Sequence, residues 1–227
     1  MTQIIAHRGA SRAKPENTVD AFVAARTLGA DAVELDVRLT ADGSLVVHHD
    51  PALSSGRPIT DLPRSMLPLD VPGLNEALDA CAGMWVNIEI KNDPNEPDFD
   101  PTDRIADLVV RSLVRRGEPE RWLISSFRLQ TVNRCRLVEP AIATAWLCVE
   151  PPAGTPELMA ARGHRAVHPS HSTVDRAFIE ECHGLGVSVN VWTCDDPEIM
   201  RRLASWGVDG IITNVPDVAV GVLRPPG

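Results

Sequence analysis

Cysteine is scarce in this chain and shows no order. Its five cysteines, Cys81, Cys135, Cys148, Cys182 and Cys194, form no Cys-x-x-Cys pair. An odd, scattered set excludes a disulfide framework and offers no zinc spacing, so buried free thiols in a reducing compartment are expected. No apolar run approaches the ~20 residues needed to span a membrane, so no stable membrane insertion is expected. Basic residues are outnumbered, 22 Lys and Arg against 31 Asp and Glu, for a formal net charge of −9. That balance argues against nucleic acid or an anionic membrane as partner. It also requires strong local positive charge if the substrate is an anion. No Gly-x-Gly-x-x-Gly fingerprint supports a dinucleotide-binding open sheet, and Ser125 and Ser126 lack any nucleophile-elbow pattern.

What is present reads as one domain. The 227 residues are 44% hydrophobic and 23% charged, an ordinary globular profile. No Ser/Gly linker or charge block divides them, so a single unit over 1–227 is expected. Strands are expected at 4–7, 32–39, 85–91, 122–125, 143–148, 165–168, 187–192 and 210–213, with a short extension at 45–48. Helices are expected from Asn17 or Thr18 to Leu28, at 74–81, 102–116, 129–138, 156–162, 173–185 and 197–206, and briefly from Val215. Eight strand–helix units predict a parallel sheet. They fit a single-domain α/β fold, a closed (β/α)8 TIM barrel with a short insertion after the second strand, at about 51–72. An open doubly wound sheet is the structural alternative. With a strand expected by about Gln3, little room is left for a leader, and a cytoplasmic location is the expectation.

The chemistry concentrates on strand ends. From Val33 to Leu39 the chain alternates strictly: Val33, Leu35, Val37 and Leu39 face one way, and Glu34, Asp36 and Arg38 the other. In a barrel the apolar face packs on helices and the polar face looks inward. Two carboxylates two residues apart there suit one hard cation, Mg2+ or Ca2+. Glu89 and Lys91 share a face near the end of another strand. A cation held by Glu34, Asp36 and Glu89, with Arg8 and Lys91 beside it, makes a site for a phosphate group. His7 and His49 are the candidate acid/base pair. An internal salt-bridge network among the same acids with Arg8, Arg38 and Lys91 is the structural alternative. Trp192 is a possible pocket wall. His168 and His171 are expected in a loop, and Glu16 and Asn17 as braces after the first strand.

Several ordered motifs carry a family resemblance. They are His7-Arg8-Gly9-Ala10, Pro15-Glu16-Asn17-Thr18, Glu34-Leu35-Asp36, His49-Asp50, Asn87-Ile88-Glu89-Ile90-Lys91, Ser126-Phe127, Val189-Asn190-Val191-Trp192-Thr193, and Gly207-Val208-Asp209-Gly210-Ile211-Ile212-Thr213. Together they resemble the glycerophosphodiester phosphodiesterases, relatives of the phosphatidylinositol phospholipase C barrels. The resemblance runs from residue 3 to about 217. It implies metal-dependent hydrolysis of a small-molecule glycerophosphodiester to an alcohol and sn-glycerol 3-phosphate. Two histidines act through a cyclic phosphate, with one divalent cation as cofactor. Asp50 after His49 matches the family pattern and selects His49 over His48. Two departures stand out. Ala52 to Arg57 replaces the usual Arg-Thr-Thr, with a short insertion that implies a small cap and an open mouth, and Asn214 stands where aspartate is common.

Two other functions fit the same residues. A lysophospholipase D or sphingomyelinase D-like phosphodiesterase would need an apolar entrance. A noncatalytic barrel binding anions or a partner would tolerate loss of His7. Head group, cation identity and oligomeric state are not set by the sequence.

Overall fold

The structure is a computed structural model that describes residues 1–224. Eight parallel strands close into a ring, and a ninth lies outside it. They are β1 (Gln3–His7), β2 (Ala32–Leu39), β3 (Leu45–Val47), β4 (Trp85–Ile90), β5 (Trp122–Ser126), β6 (Ala143–Cys148), β7 (Ala166–Pro169), β8 (Ser188–Val191) and β9 (Gly210–Thr213). The ring runs β1-β2-β4-β5-β6-β7-β8-β9 and closes through β9 and β1, which pair Gln3 with Gly210 and Ile5 with Ile212. β3 pairs antiparallel with β2 as a hairpin at the rim. The outer layer is α1 (Val19–Thr27), α2 (Leu74–Ala80), α3 (Arg104–Arg116), α4 (Leu129–Val138), α5 (Thr155–Arg162), α6 (Arg176–Gly184), α7 (Pro197–Trp206) and α8 (Pro216–Leu223). This is a single-domain (β/α)8 barrel. No described helix is long and apolar enough to cross a membrane.

The alternation in β2 explains why it forms and where it faces. Val33, Leu35 and Val37 are fully buried in an outer apolar cluster with Phe22 of α1, Leu74 of α2 and Val109 of α3. Burying each such side chain contributes about 1.5–3 kcal/mol. Glu34 and Asp36 are thereby turned inward. α3 buries Ile105, Ala106, Val109, Val110 and Leu113, one stripe at helical spacing. A second outer cluster, including Met159, Ile179, Met200 and Leu203, holds the other half of the barrel. The insertion after β3 folds on its own small core of Val46, Ile59, Leu62, Leu67 and Val71.

Helix starts shift where a polar side chain takes over the first turn. α1 begins after Thr18, whose hydroxyl accepts from Ala21 N at 3.2 Å. α6 starts at Arg176 rather than 173, because Asp175 caps it and accepts from Phe178 N at 2.9 Å. α3 starts at Arg104 because Asp103 turns left-handed, with φ 53°, and joins Arg128, Asn92 and Thr131 in a buried network. β3 ends at Val47, so His48 and His49 lie just beyond a strand, not in one.

His168 is not a loop residue. It lies in β7, fully buried, and its Nε2 accepts from Asn190 Nδ2 at 2.9 Å. Burial pushes its pKa down to about 3, and that of His164 down to about 4. The unfolded imidazole protonates near 6.5, so this contribution to stability is complete above that pH. It is lost progressively as pH falls toward the folded value. For His168 the loss at pH 5 is about 2 kcal/mol. Urea unfolding at pH 7 and pH 5 checks this: His168→Gln should flatten the pH dependence by that amount, and an unchanged slope would refute it.

Candidate active site

Two cavities lie on the barrel axis. The larger, about 440 Å³, is at the N-terminal end among Gln3, Trp85, Leu123 and Ser188. The smaller, about 160 Å³, is at the C-terminal end. Barrel chemistry belongs to the C-terminal end, and the smaller cavity is where the candidate residues gather. His7, Arg8, Glu34, His49, Glu89, Lys91 and Trp192 line it, joined by Asn87, Phe127 and Leu147. Asp36 sits just behind, 1% exposed.

The turn after β1 delivers the first group. Arg8 is left-handed at φ 56°, and Gly9 follows at φ 81°. A Cβ on Gly9 would stand 2.7 Å from the backbone of Ala21, so only glycine lets the turn pack on α1. That turn aims Arg8 N at Glu34 Oε2, 2.9 Å away. It also sets Arg8 Nε 3.3 Å from Asp36, and the guanidinium donates to Glu16 at 2.9 Å.

Glu34, Asp36 and Glu89 converge, each with an oxygen within 4.8 Å of the others. Burial, then the charges of Asp36 and Glu89, push the Glu34 carboxyl well above its ordinary pKa. Burial and Asp36 also raise Glu89. Burial would raise Asp36 as well, but Lys91, Arg8 and His49 hold it low. Lys91 donates to Glu89 at 2.9 Å and lies 3.7 Å from Asp36. The sequence alternative of an internal ion-pair network is thus half realised: Arg8 and Lys91 do pair with the acids. Arg38 does not. It is fully buried and donates to the His49 carbonyl, with Glu96 and Asp98 as its ion pairs. Three acids face two cations, and Glu34 Oε1 is buried with no partner among the described residues. That orphaned oxygen and the all-oxygen donor set fit a hard divalent cation, Mg2+ or Ca2+.

Each histidine is oriented from behind. His7 Nδ1 donates to Asn214 Oδ1 at 2.7 Å. Asn214 Nδ2 in turn donates to Asp195 at 2.8 Å, which fixes the way the amide points. His7 therefore carries its proton on Nδ1, and its Nε2 lies 3.9 Å from Glu34. Burial and then Arg8 lower its pKa. His49 Nδ1 donates to Asp50 at 2.7 Å. His48 instead bonds the Asp50 carbonyl and does not line the cavity. Trp192 donates its indole N–H to the His168 carbonyl at 2.7 Å and meets Phe127 edge to face, centroids 5.4 Å apart.

Some of this was beyond the sequence reading. Asn17, expected as a loop brace, is 3% exposed and donates to Asp36 at 2.8 Å. Asp195 carried no signal. Asn214 stood out only as a departure, and Arg38 only by sharing a face with the acids.

Comparison with known proteins agrees over the full length. The model of the glycerophosphoryl diester phosphodiesterase family matches residues 7–218. A glycerophosphodiester phosphodiesterase of Caldanaerobacter subterraneus subsp. tengcongensis is 32% identical, over 100% of this chain and 99% of that protein. The crystal structure of a glycerophosphodiester phosphodiesterase from Agrobacterium tumefaciens str. C58 superposes with a TM-score of 0.82. It is 28% identical and covers 98% of this chain and 100% of that one. An Oleispira antarctica phosphodiesterase, solved with the product sn-glycerol-3-phosphate, shares the fold at a TM-score of 0.89 and 24% identity, over 98% and 97% of the two chains. Matched from its first strand to its last helix, this chain belongs to the glycerophosphoryl diester phosphodiesterase family.

Proposed function

We propose that this barrel hydrolyses glycerophosphodiesters to an alcohol and sn-glycerol 3-phosphate, with His7 and His49 as the proton-transfer pair. One observation carries the reading. Two imidazoles, each oriented through Nδ1, line the same 160 Å³ cavity as a buried three-carboxylate cluster.

The partners of the two histidines support one division of starting roles. His7 is backed by a neutral amide, and its Nε2 lone pair is free to accept a proton. His49 donates Nδ1–H to the Asp50 carboxylate, which orients its ring for the acid role. In the first step the substrate's 2-hydroxyl attacks phosphorus and gives its proton to His7 Nε2. The bond to the leaving alcohol breaks, and His49 Nε2 protonates that oxygen. The product is a cyclic glycerol phosphate. Water then attacks phosphorus and gives a proton to His49, the ring P–O bond opens, and His7 returns its proton to the 2-oxygen. The attack is intramolecular and gains from proximity. Arg8 and Lys91 place two positive charges beside the phosphate. Glu34, Asp36 and Glu89 would hold one divalent cation, which supplies further positive charge against the phosphate oxygens when bound.

The first experiment measures sn-glycerol 3-phosphate release from glycerophosphocholine and glycerophosphoethanolamine in chelator, Mg2+ and Ca2+. Release restored by a cation is expected. No release under any condition sinks the reading for these substrates. Met66 and Leu69 support a second reading: both lie in the insertion and are 63% and 98% exposed. Exposed apolar side chains suit an acyl chain, so lysophosphatidylcholine belongs in the same assay. The small cavity favours the glycerol ester.

A further inference from the structure

Asn87 is fully buried on β4, and neither its Nδ2 nor its Oδ1 has a hydrogen-bond partner among the described residues. A buried amide left unpaired is costly and calls for an account. Asn87 lines the active-site cavity. It stands two residues before Glu89, on the same inward face and about 6.6 Å deeper along the strand. In register it lies opposite Glu34 on β2. Leu147 and Ile212 also line the cavity and are apolar, so they cannot pair with it.

The chemistry of the missing partner follows from the amide. It offers one donor side and one acceptor side. A phosphate oxygen only accepts and would leave Oδ1 unpaired. A cation would take Oδ1 and leave Nδ2 unpaired. A hydroxyl both donates and accepts, and satisfies both atoms. In the proposed reaction the leaving alcohol departs toward solvent at the C-terminal end of the barrel, which puts the glycerol below the phosphate. Its 2-hydroxyl is consumed as nucleophile in the proposed reaction, which leaves the terminal C1 hydroxyl. We propose that Asn87 recognises that C1 hydroxyl and sets the preference for an unacylated glycerol. The inference rests on the hydrolase reading above.

The test compares glycerophosphocholine with its 1-deoxy analogue, the phosphocholine ester of propane-1,2-diol, by kcat/KM. Wild type should favour the glycerol substrate by roughly 10²-fold, because the analogue lacking the hydroxyl leaves a buried amide unpaired. Asn87→Leu should lose activity on glycerophosphocholine by a similar factor and show a preference near one. Cation affinity, measured by calorimetry with Mg2+ or Ca2+ alone, should stay unchanged. Asn87→Ser, too short to reach the hydroxyl, takes the same measurements if leucine disturbs the barrel. No preference in wild type, or an undiminished preference in the variants, overturns the inference. So does a matching fall in cation affinity, which would make Asn87 a metal ligand. Wild type inactive on both esters sinks the hydrolase reading for phosphocholine substrates, and this inference with it.

Discussion

His7→Ala and His49→Ala should each lower kcat on glycerophosphocholine by roughly 10²–10⁴-fold, the range supplied by one positioned acid or base. Both imidazoles are partly buried, and neither side chain belongs to the apolar clusters, so the melting temperature should move little. The two variants should then separate by leaving group. An ester with a p-nitrophenol leaving group needs no proton on departure at neutral pH. If His49 is the first-step acid, His49→Ala should recover much of its loss on that ester. His7→Ala should not, because deprotonation of the attacking hydroxyl is still required. The reverse pattern would exchange the roles, and equal losses on both esters would remove the acid–base assignment. A second comparison isolates the groups behind the rings. Asn214→Leu removes the acceptor that keeps the His7 proton on Nδ1, and among the described residues Asn214 hydrogen-bonds no other side chain that lines the cavity.

The barrel was legible because its signals are local. Alternation through Val33–Leu39 and eight repeats of strand and helix each report on a few neighbouring residues. The convergence of Glu34, Asp36 and Glu89 was also legible, since strand parity and a common barrel end suffice to bring them together. What escaped depends on contacts across the chain. Asn214 reaches His7 over 207 positions, and the αL backbone of Asn17 turns its amide onto Asp36. Arg38 shares the parity of Glu34 and Asp36, so the sequence offered it to the same acids. Glu96 and Asp98, in the loop after β4, take it instead and leave it bracing the His49 carbonyl. His168 falls both at the end of the expected strand 165–168 and among the expected loop residues, and the strand holds. β7 is four residues long, and its alternation is too short to distinguish a strand interior from a loop.

Glu34→Gln should make the cation-free protein more stable and the enzyme inactive. Three carboxylates buried within 4.8 Å of one another face two permanent cations, Arg8 and Lys91, and the Glu34 carboxyl is pushed well above its ordinary pKa. Glutamine keeps the shape and the bond from Arg8 N while removing one charge. The expected gain is about 1–3 kcal/mol, in line with replacing uncompensated buried charge. For a chain of this length that is roughly 3–10 °C in melting temperature. Wild type should recover the difference with Mg2+ or Ca2+, since ligand at 100 times Kd adds about 2.7 kcal/mol. The variant should show little cation-dependent shift. The pH dependence has a defined sign. A carboxyl whose folded pKa is raised binds its proton more tightly folded than unfolded. In chelator, stability should therefore rise as pH falls through the window above 4.5, relative to Glu34→Gln. Thermal melts of both proteins at several pH values, with chelator and with each cation, measure all of this. A variant that melts lower than wild type in chelator, or that keeps the full cation shift, would mean that Glu34 is held by its neighbours rather than waiting for a metal.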